Sequence, residues 1–239
     1  MTGIDMNLPK EQRILLAAEE VFSRRGYVQA TLDEIITLAD TGKGTLYKHY
    51  GNKDNLFYTL IATKNAPFIE KLQAIETSDL DIPTKLRRYI AELFIFLREN
   101  KGLWQMLWYE ISSRHLGIHP MLDRDGQWQL VSNYGASVTE EDKQRFSRFH
   151  LIILNEILVL IHILQQGVAT DFLKSTDKDL TYTKKNTPVN KDDEANYGAY
   201  HLFGSVATSV FHFVGDAEID PELFAKLVVD RFLYGHAIR

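Results

Sequence analysis

The residues best placed to do chemistry sit in one short stretch, Lys43-Gly-Thr-Leu-Tyr-Lys-His-Tyr50. At helical spacing Leu46 and Tyr50 lie four apart and share an inner face, which leaves Thr45, Tyr47, Lys48 and His49 pointing variously outward. That outer face suits recognition. A threonine hydroxyl or methyl reads a base edge, while Tyr, Lys and His reach phosphate oxygens. Gly44 lets one backbone approach another closely. Lys53 follows at the start of the next predicted helix, where a cation beside favourable amide dipoles makes a phosphate clamp. A stubby helix with one free face can enter a major groove about 12 Å wide.

Other constellations are weaker. Trp104, Met106, Leu107, Trp108 and Tyr109 cluster in one segment, and Phe146, Phe149, His150 and Glu156 lie on another. With Trp128 they could line an apolar pocket with a few polar anchors, suited to a mid-sized apolar or aromatic ligand. The alternative is a large aromatic core, the commoner use of any single aromatic residue. His115 and His119 are four apart, but Gly117 and Pro120 interrupt the face; His201 and His212 are three turns apart. With no Cys in the chain, neither pair offers a compact metal site. There is no Gly-rich phosphate loop after a strand and no identifiable catalytic triad. The expectation is a chain that is not an enzyme, with no catalytic residue, metal or cofactor.

The elements needed to position the outward face are helical nearly throughout. Ile14, Leu15, Ala18, Val21 and Phe22 mark one face of a first helix from Pro9 to Arg25, stopped by Gly26. Thr31-Leu-Asp-Glu34 is a capping-box pattern opening a second helix, with Leu32, Ile35, Ile36 and Ala39 as its buried face. Asp40-Thr41-Gly42 is turn chemistry before the third helix, Gly44–Tyr50. Asn52 caps a long fourth helix through Leu56, Leu60, Phe68 and Leu72 to about Glu76. Further helices are predicted from Pro83 to Glu99, Leu103 to His115, after Thr139-Glu-Glu-Asp142, and over Glu194–Val214 and Pro221–Gly235. The run Phe149–Leu164 is apolar almost all round and should be central. Residues 120–138, with Asp125-Gly126 as hairpin turn or loop, receive no assignment, and polar residues 174–193 form a long loop.

Phe22-Ser-Arg-Arg-Gly-Tyr27, then Thr31-x3-Ile35-x3-Ala39, then Gly44-Thr-Leu-Tyr-x-His-Tyr50-x2-Lys53-x2-Leu56 resembles the N-terminal signature of TetR-family bacterial transcription regulators. The resemblance covers about residues 10–60; Arg231-Phe-Leu-Tyr-Gly235 is weakly similar to the family's last helix. It implies an all-α chain: a three-helix helix-turn-helix head over residues 1–53, joined by a long helix to a helical ligand-binding and dimerisation domain over 54–239. Carried over by position, Thr31, Lys43, Thr45, Tyr47, His49 and Lys53 become contacts to double-stranded DNA, with Lys48 beside them. Gly44 becomes the close-approach glycine, and Phe22, Ile35, Leu46 and Tyr50 the core of the head. A homodimer would place two such helices in successive grooves of a near-palindromic operator, about 34–36 Å apart. A small-molecule effector would move the heads.

The turn departs from the family pattern. Asp40-Thr41-Gly42 replaces Gly-Val-Ser, so the capping serine is Gly42, Thr41 becomes a candidate cap one residue early, and Asp40 would repel phosphate. A protein-interaction module on the same scaffold, without DNA, is the competing reading. For dimerisation, large residues (Phe203, Val206, Val210, Phe213, Leu227, Phe232) mixed with small ones (Gly204, Ser205, Ala207, Ser209) suggest a two-fold four-helix interface.

The 239 residues carry a net charge of -5 and are 45% hydrophobic, enough to bury a full core. Residues 1–64 hold eight Lys/Arg and eight Asp/Glu, so the whole deficit lies downstream. An acidic body argues against a general nucleic-acid coat but permits a local site. The start MTGIDMNLPK lacks the basic end and apolar stretch of a signal peptide. His150, Asn155, Glu156 and His162 interrupt the most apolar run short of the roughly 18 residues of a membrane span. A soluble cytoplasmic protein without a membrane partner is expected.

Overall fold

A computed structural model describes residues 4–112, 118–122, 128–132, 137–173, 191–211 and 218–234, with the backbone alone described at 110–112, 118–122, 128–132 and 191–194. The expectations for Phe213, the polar loop to residue 190, the Asp125-Gly126 turn, Gly235 and the Trp128 side chain lie outside the described residues. The helices are α1 (Lys10–Gln29), α2 (Leu32–Leu38), α3 (Lys43–Tyr50), α4 (Lys53–Glu76), α5 (Ile82–Glu99), α6 (Lys101–Ser112), α7 (Glu140–Ala169), α8 (Lys191–Ser209) and α9 (Pro221–Tyr234). The fold class is all-α. Among the described residues, the addition is an antiparallel ribbon of β1 (Ile118–Leu122) and β2 (Trp128–Ser132), with Pro120 opposite Leu130, largely in the stretch 120–138 that carries no assignment from sequence.

Caps set the boundaries. Thr31 accepts from the Glu34 amide, Asn52 from Asn55, Asp81 from Thr84 and Asp220 from Glu222, each satisfying an orphan amide of a first turn. Thr139 and Asp142 form a reciprocal capping box, amide to side chain both ways, at 3.1 Å each. Gly26 breaks α1 with φ 74 and ψ 167, as its predicted stop requires, and the chain regains one short turn to Gln29.

Two compact units make up the chain, each from two segments. The first takes residues 1–66 and 102–152. Its core joins Ile14, Ala18, Val21 and Phe22 of α1, Ile35 and Ala39 at α2, Leu46 and Tyr50 of α3, and Leu56, Phe57 and Leu60 of α4, all buried. The second takes residues 67–101 and 153–239. There α5 packs on α9: Phe94 lies 4.4 Å from Phe224 between ring centroids, Arg87 pairs with Asp230 at 2.7 Å, and Arg98 donates to the Ile219 carbonyl. The Lys85 ammonium, only 6% exposed, donates to the Glu76 carbonyl and to Gln166 Oε1, so it caps the end of α4.

Two expectations are corrected here. Helix α7 is long and apolar enough to cross a membrane by length and composition, because its polar residues are too few to break the run; 56% of its most apolar window is buried in the fold. The dimer residues Phe203, Val206, Ala207 and Val210 of α8 face the protomer's own interior. Exposed side chains on these helices include Tyr200, Ser205 and Thr208 on α8 and Leu223, Leu227 and Tyr234 on α9. A helix amphipathic on one side and open on the other shows both faces as usable in sequence, and packing decides which is spent internally.

Nothing lies within 4 Å of a Cβ built on Gly26, so a side chain there meets only backbone strain. Gly26→Ala should lower unfolding stability by about 1 kcal/mol, read by chemical denaturation.

Candidate nucleic-acid interface

The inner face of α3 is anchored as expected. Leu46 is fully buried, and the buried Tyr50 ring donates its hydroxyl to the Glu11 carbonyl of α1 at 3.2 Å. The outer face is open: Lys43, Gly44, Lys48 and His49 are exposed, Tyr47 is 44% exposed and Thr45 half-buried. Thr31 is exposed at the start of α2, its hydroxyl oxygen accepting from the Glu34 amide in the cap.

Electrostatics temper this face. Lys43 lies 3.6 Å from Asp33 and its ammonium 5.9 Å from the Tyr47 ring. His49 Nδ1 sits 2.7 Å from the Glu11 carboxylate. Lys48 makes no ion pair among the described residues. Arg24 and Arg25 converge on Glu34, which is why that carboxylate does not complete the capping box.

The unusual turn resolves into ordinary geometry. Asp40 takes the left-handed conformation, φ 46, that ends α2, and aspartate tolerates it better than most residues. Its carboxylate lies 3.7 Å from the nearly buried Arg13, which offsets its charge. Gly42 caps α3 with extended φ/ψ and no side-chain bond. Thr41 as the early cap is corrected: its hydroxyl is buried without a hydrogen-bond partner among the described residues, because Gly42 already holds the cap position.

Lys53 is placed differently from the free clamp of the sequence reading. Its ammonium donates to the carbonyls of Tyr27, Val28 and Ala30 at 2.9, 3.3 and 3.1 Å and lies 4.7 Å from the Tyr27 ring centroid. All three of its hydrogens are thus directed at the α1–α2 connection.

A second set of residues supports the head, and sequence reasoning missed it. Arg145 of α7 pairs with Asp54 at 2.7 Å, donates to the Tyr27 hydroxyl at 3.3 Å and stacks 5.6 Å from the Tyr27 ring. Arg148, one turn on, donates to Asn55 at 2.9 Å and lies over Tyr58 at 4.8 Å. Two arginines at i, i+3 share a face, which was the available signal; their partners stand about ninety residues or more away in sequence.

The predicted ligand residues divide. Trp104 and Phe149 are buried, and half-buried His150 stacks on Phe146 at 5.3 Å, where burial lowers its pKa. Trp108 and Tyr109 are 43% and 58% exposed, so they do not enclose an apolar pocket. Tyr109 instead borders an open groove of about 420 Å³ with Met106 and Gln105 on one wall and Tyr27 and Val28 on the other. Glu156 lies in the second unit, wholly buried, and burial raises its pKa well above the carboxylate range.

Residues 14–59 match the family described as bacterial regulatory proteins, tetR family. The fatty acid metabolism regulator protein of Bacillus subtilis is 26% identical over 115 residues, 48% of this chain and 59% of that protein. The transcriptional repressor BepR of Brucella suis is 31% identical, over 47% of this chain and 56% of its own length. The chain thus spans little more than half the length of these relatives. Among solved structures, the transcriptional regulator FadR from Bacillus subtilis in complex with stearoyl-CoA shares the fold at a TM-score of 0.65 and 20% identity, covering 94% of this chain and 98% of that one.

Replacing Arg145 by Met keeps an unbranched apolar side chain and removes the charge. Amide exchange in the first turn of α4 and around Tyr27 should quicken, with stability falling by about 1–2 kcal/mol for a partly buried pair plus a cation–π contact. Mass-spectrometric hydrogen exchange checks this; unchanged protection would show that α7 does not hold the head.

Proposed function

We propose, for a chain that belongs to the tetR family of bacterial regulatory proteins, that it acts as a dimeric repressor released from a near-palindromic operator by a small effector. The observation that carries this reading is α3 itself, pinned by Leu46 and Tyr50 and open along Lys43, Tyr47, Lys48 and His49. Thr45 and Tyr47 are assigned to base edges and sugar–phosphate, and Lys43, Lys48, His49 and Thr31 to phosphates. Gly44 carries no Cβ and admits close approach of the duplex backbone. Lys53 first sets the α1–α2 connection; a phosphate contact from it requires giving up one of its three carbonyls.

The effector reading is placed in the second unit, on α7 at Glu156; Trp104, Phe149 and His150 belong to the first unit, where Trp104 and Phe149 are core. Tyr109 is reassigned to the open groove, and Trp108, 43% exposed, is left out of the effector surface. A relative named for fatty acid metabolism favours an effector with a sizeable apolar body. It acts by binding one separation of the two heads more tightly than the other, which shifts the population away from the operator-matched state. The reading assigns no catalysis and a cytoplasmic location. The turn that motivated an interaction module closes as an ordinary helix-turn-helix corner, and nothing else favours that alternative.

The partner is a second copy of the chain, seated on the open α8–α9 face around Leu223, Leu227 and Tyr234. Leu223→Asp combined with Leu227→Asp should yield a monomer by light scattering at micromolar concentration, with helicity retained. A dimer persisting in that variant would move the interface elsewhere.

Operator fragments selected from random DNA test the recognition surface. Tyr47→Ala and Lys48→Ala should each weaken binding about tenfold or more, and Lys48→Ala should reduce the salt slope by about one. If both bind like the parent with the parent's salt dependence, the contact assignments fail.

A further inference from the structure

Among the described residues, the buried charged side chains have polar partners with one exception. Arg13 lies beside Asp40, and Lys85 donates to Glu76 and Gln166. Glu156 is 0% exposed, and neither of its carboxyl oxygens has a hydrogen-bond partner among the described residues. On α7 it shares a face with buried Ile152, Ile153, Leu160 and Ile163, so its surroundings along the helix are aliphatic. Among the described residues, Tyr89 of α5 is the titratable group placed against it. Tyr89 has committed its hydroxyl hydrogen to the Glu156 main-chain carbonyl at 2.7 Å, which leaves nothing for the side chain. Burial raises its pKa well above the ordinary carboxylate value.

An orphaned buried carboxyl is costly, and native proteins retain such groups where they serve a function. The form of the deficit indicates what would relieve it. Two oxygens lack donors, so a ligand hydroxyl, with one hydrogen, satisfies one of them. A ligand carbonyl satisfies only the acid proton. A protonated amine supplies up to three N–H donors and the opposite charge, engaging both oxygens at once.

We propose that Glu156 is the polar anchor of the effector site and that the effector carries a protonated amine on an apolar body. This rests on the reading that α7 lines the effector site, and it adds the chemistry of the ligand's polar end. The step is non-covalent: the ammonium enters, the carboxyl releases its proton to solvent, and an ion pair of no net charge remains. Binding therefore tightens as pH rises, for as long as the free protein holds the acid protonated.

Calorimetry on the full chain without DNA, with decylamine and decanol as probes, tests the proposal independently of operator binding. Decylamine should bind at least tenfold tighter than decanol at neutral pH and release up to one proton, read from buffers of different ionisation heat. Its affinity should rise by up to about tenfold per pH unit. Glu156→Gln, close in shape, should bring the amine down to the alcohol's level and leave the alcohol unchanged. Glu156→Met should melt no lower than the parent, since it replaces an orphaned polar group by an apolar one. Equal affinity for the two probes, or an amine preference surviving in Glu156→Gln, overturns the anchor and leaves the effector reading standing. Binding of neither probe overturns both.

Discussion

The recognition head is closed around one aromatic ring. Tyr27 follows the left-handed Gly26 and lands between Phe22 and Phe57, at 5.8 and 4.9 Å between centroids. The Lys53 and Arg145 cations both lie within 6 Å of that ring. Cations over an electron-rich face stabilise by about 0.5–2 kcal/mol each, more as water is excluded. The connection between α1 and α2 is therefore held from α4 and from α7. Because α3 stands on α1 through Leu46 and Tyr50, its open face inherits this fixed frame.

That frame changes how the positive charges near the recognition helix are understood. An exposed lysine on a helix is ordinarily a solvated charge, and Lys48 conforms to this. Lys53 does not, because three carbonyls at the end of α1 form a ready acceptor set for an ammonium. Acidic partners likewise occupy Lys43 and His49 in the free protein, and a duplex would have to compete with Asp33 and Glu11 for them. Under the proposed function, such exchange of partners would make DNA binding dependent on salt and on the fit of the groove.

Much of the fold was legible because its signals are local. Caps at Thr31, Asn52, Thr139 and Asp220 act within three residues of themselves, so sequence spacing is sufficient to place the helices they open. The same holds for Gly26, whose backbone conformation a side chain would oppose. Where the misreadings occurred, the deciding contact was remote. The α8 residues Phe203, Val206 and Val210 look like interface material until α5 is seen packed against α8 and these side chains are found buried. Trp108 and Tyr109 look like pocket walls because an aromatic cluster in sequence carries no direction.

Composition and periodicity alone determined an all-α chain, the boundaries of its early helices and the inner and outer faces of α3, since helical geometry follows from residues three or four apart. Only the tertiary structure decided which charges are spent: Arg145 on Asp54, Lys53 on carbonyls, Arg13 on Asp40, and Glu156 on nothing among the described residues. The reason is that a charge's free energy depends on burial and on partners brought together by packing, and neither is written in local spacing.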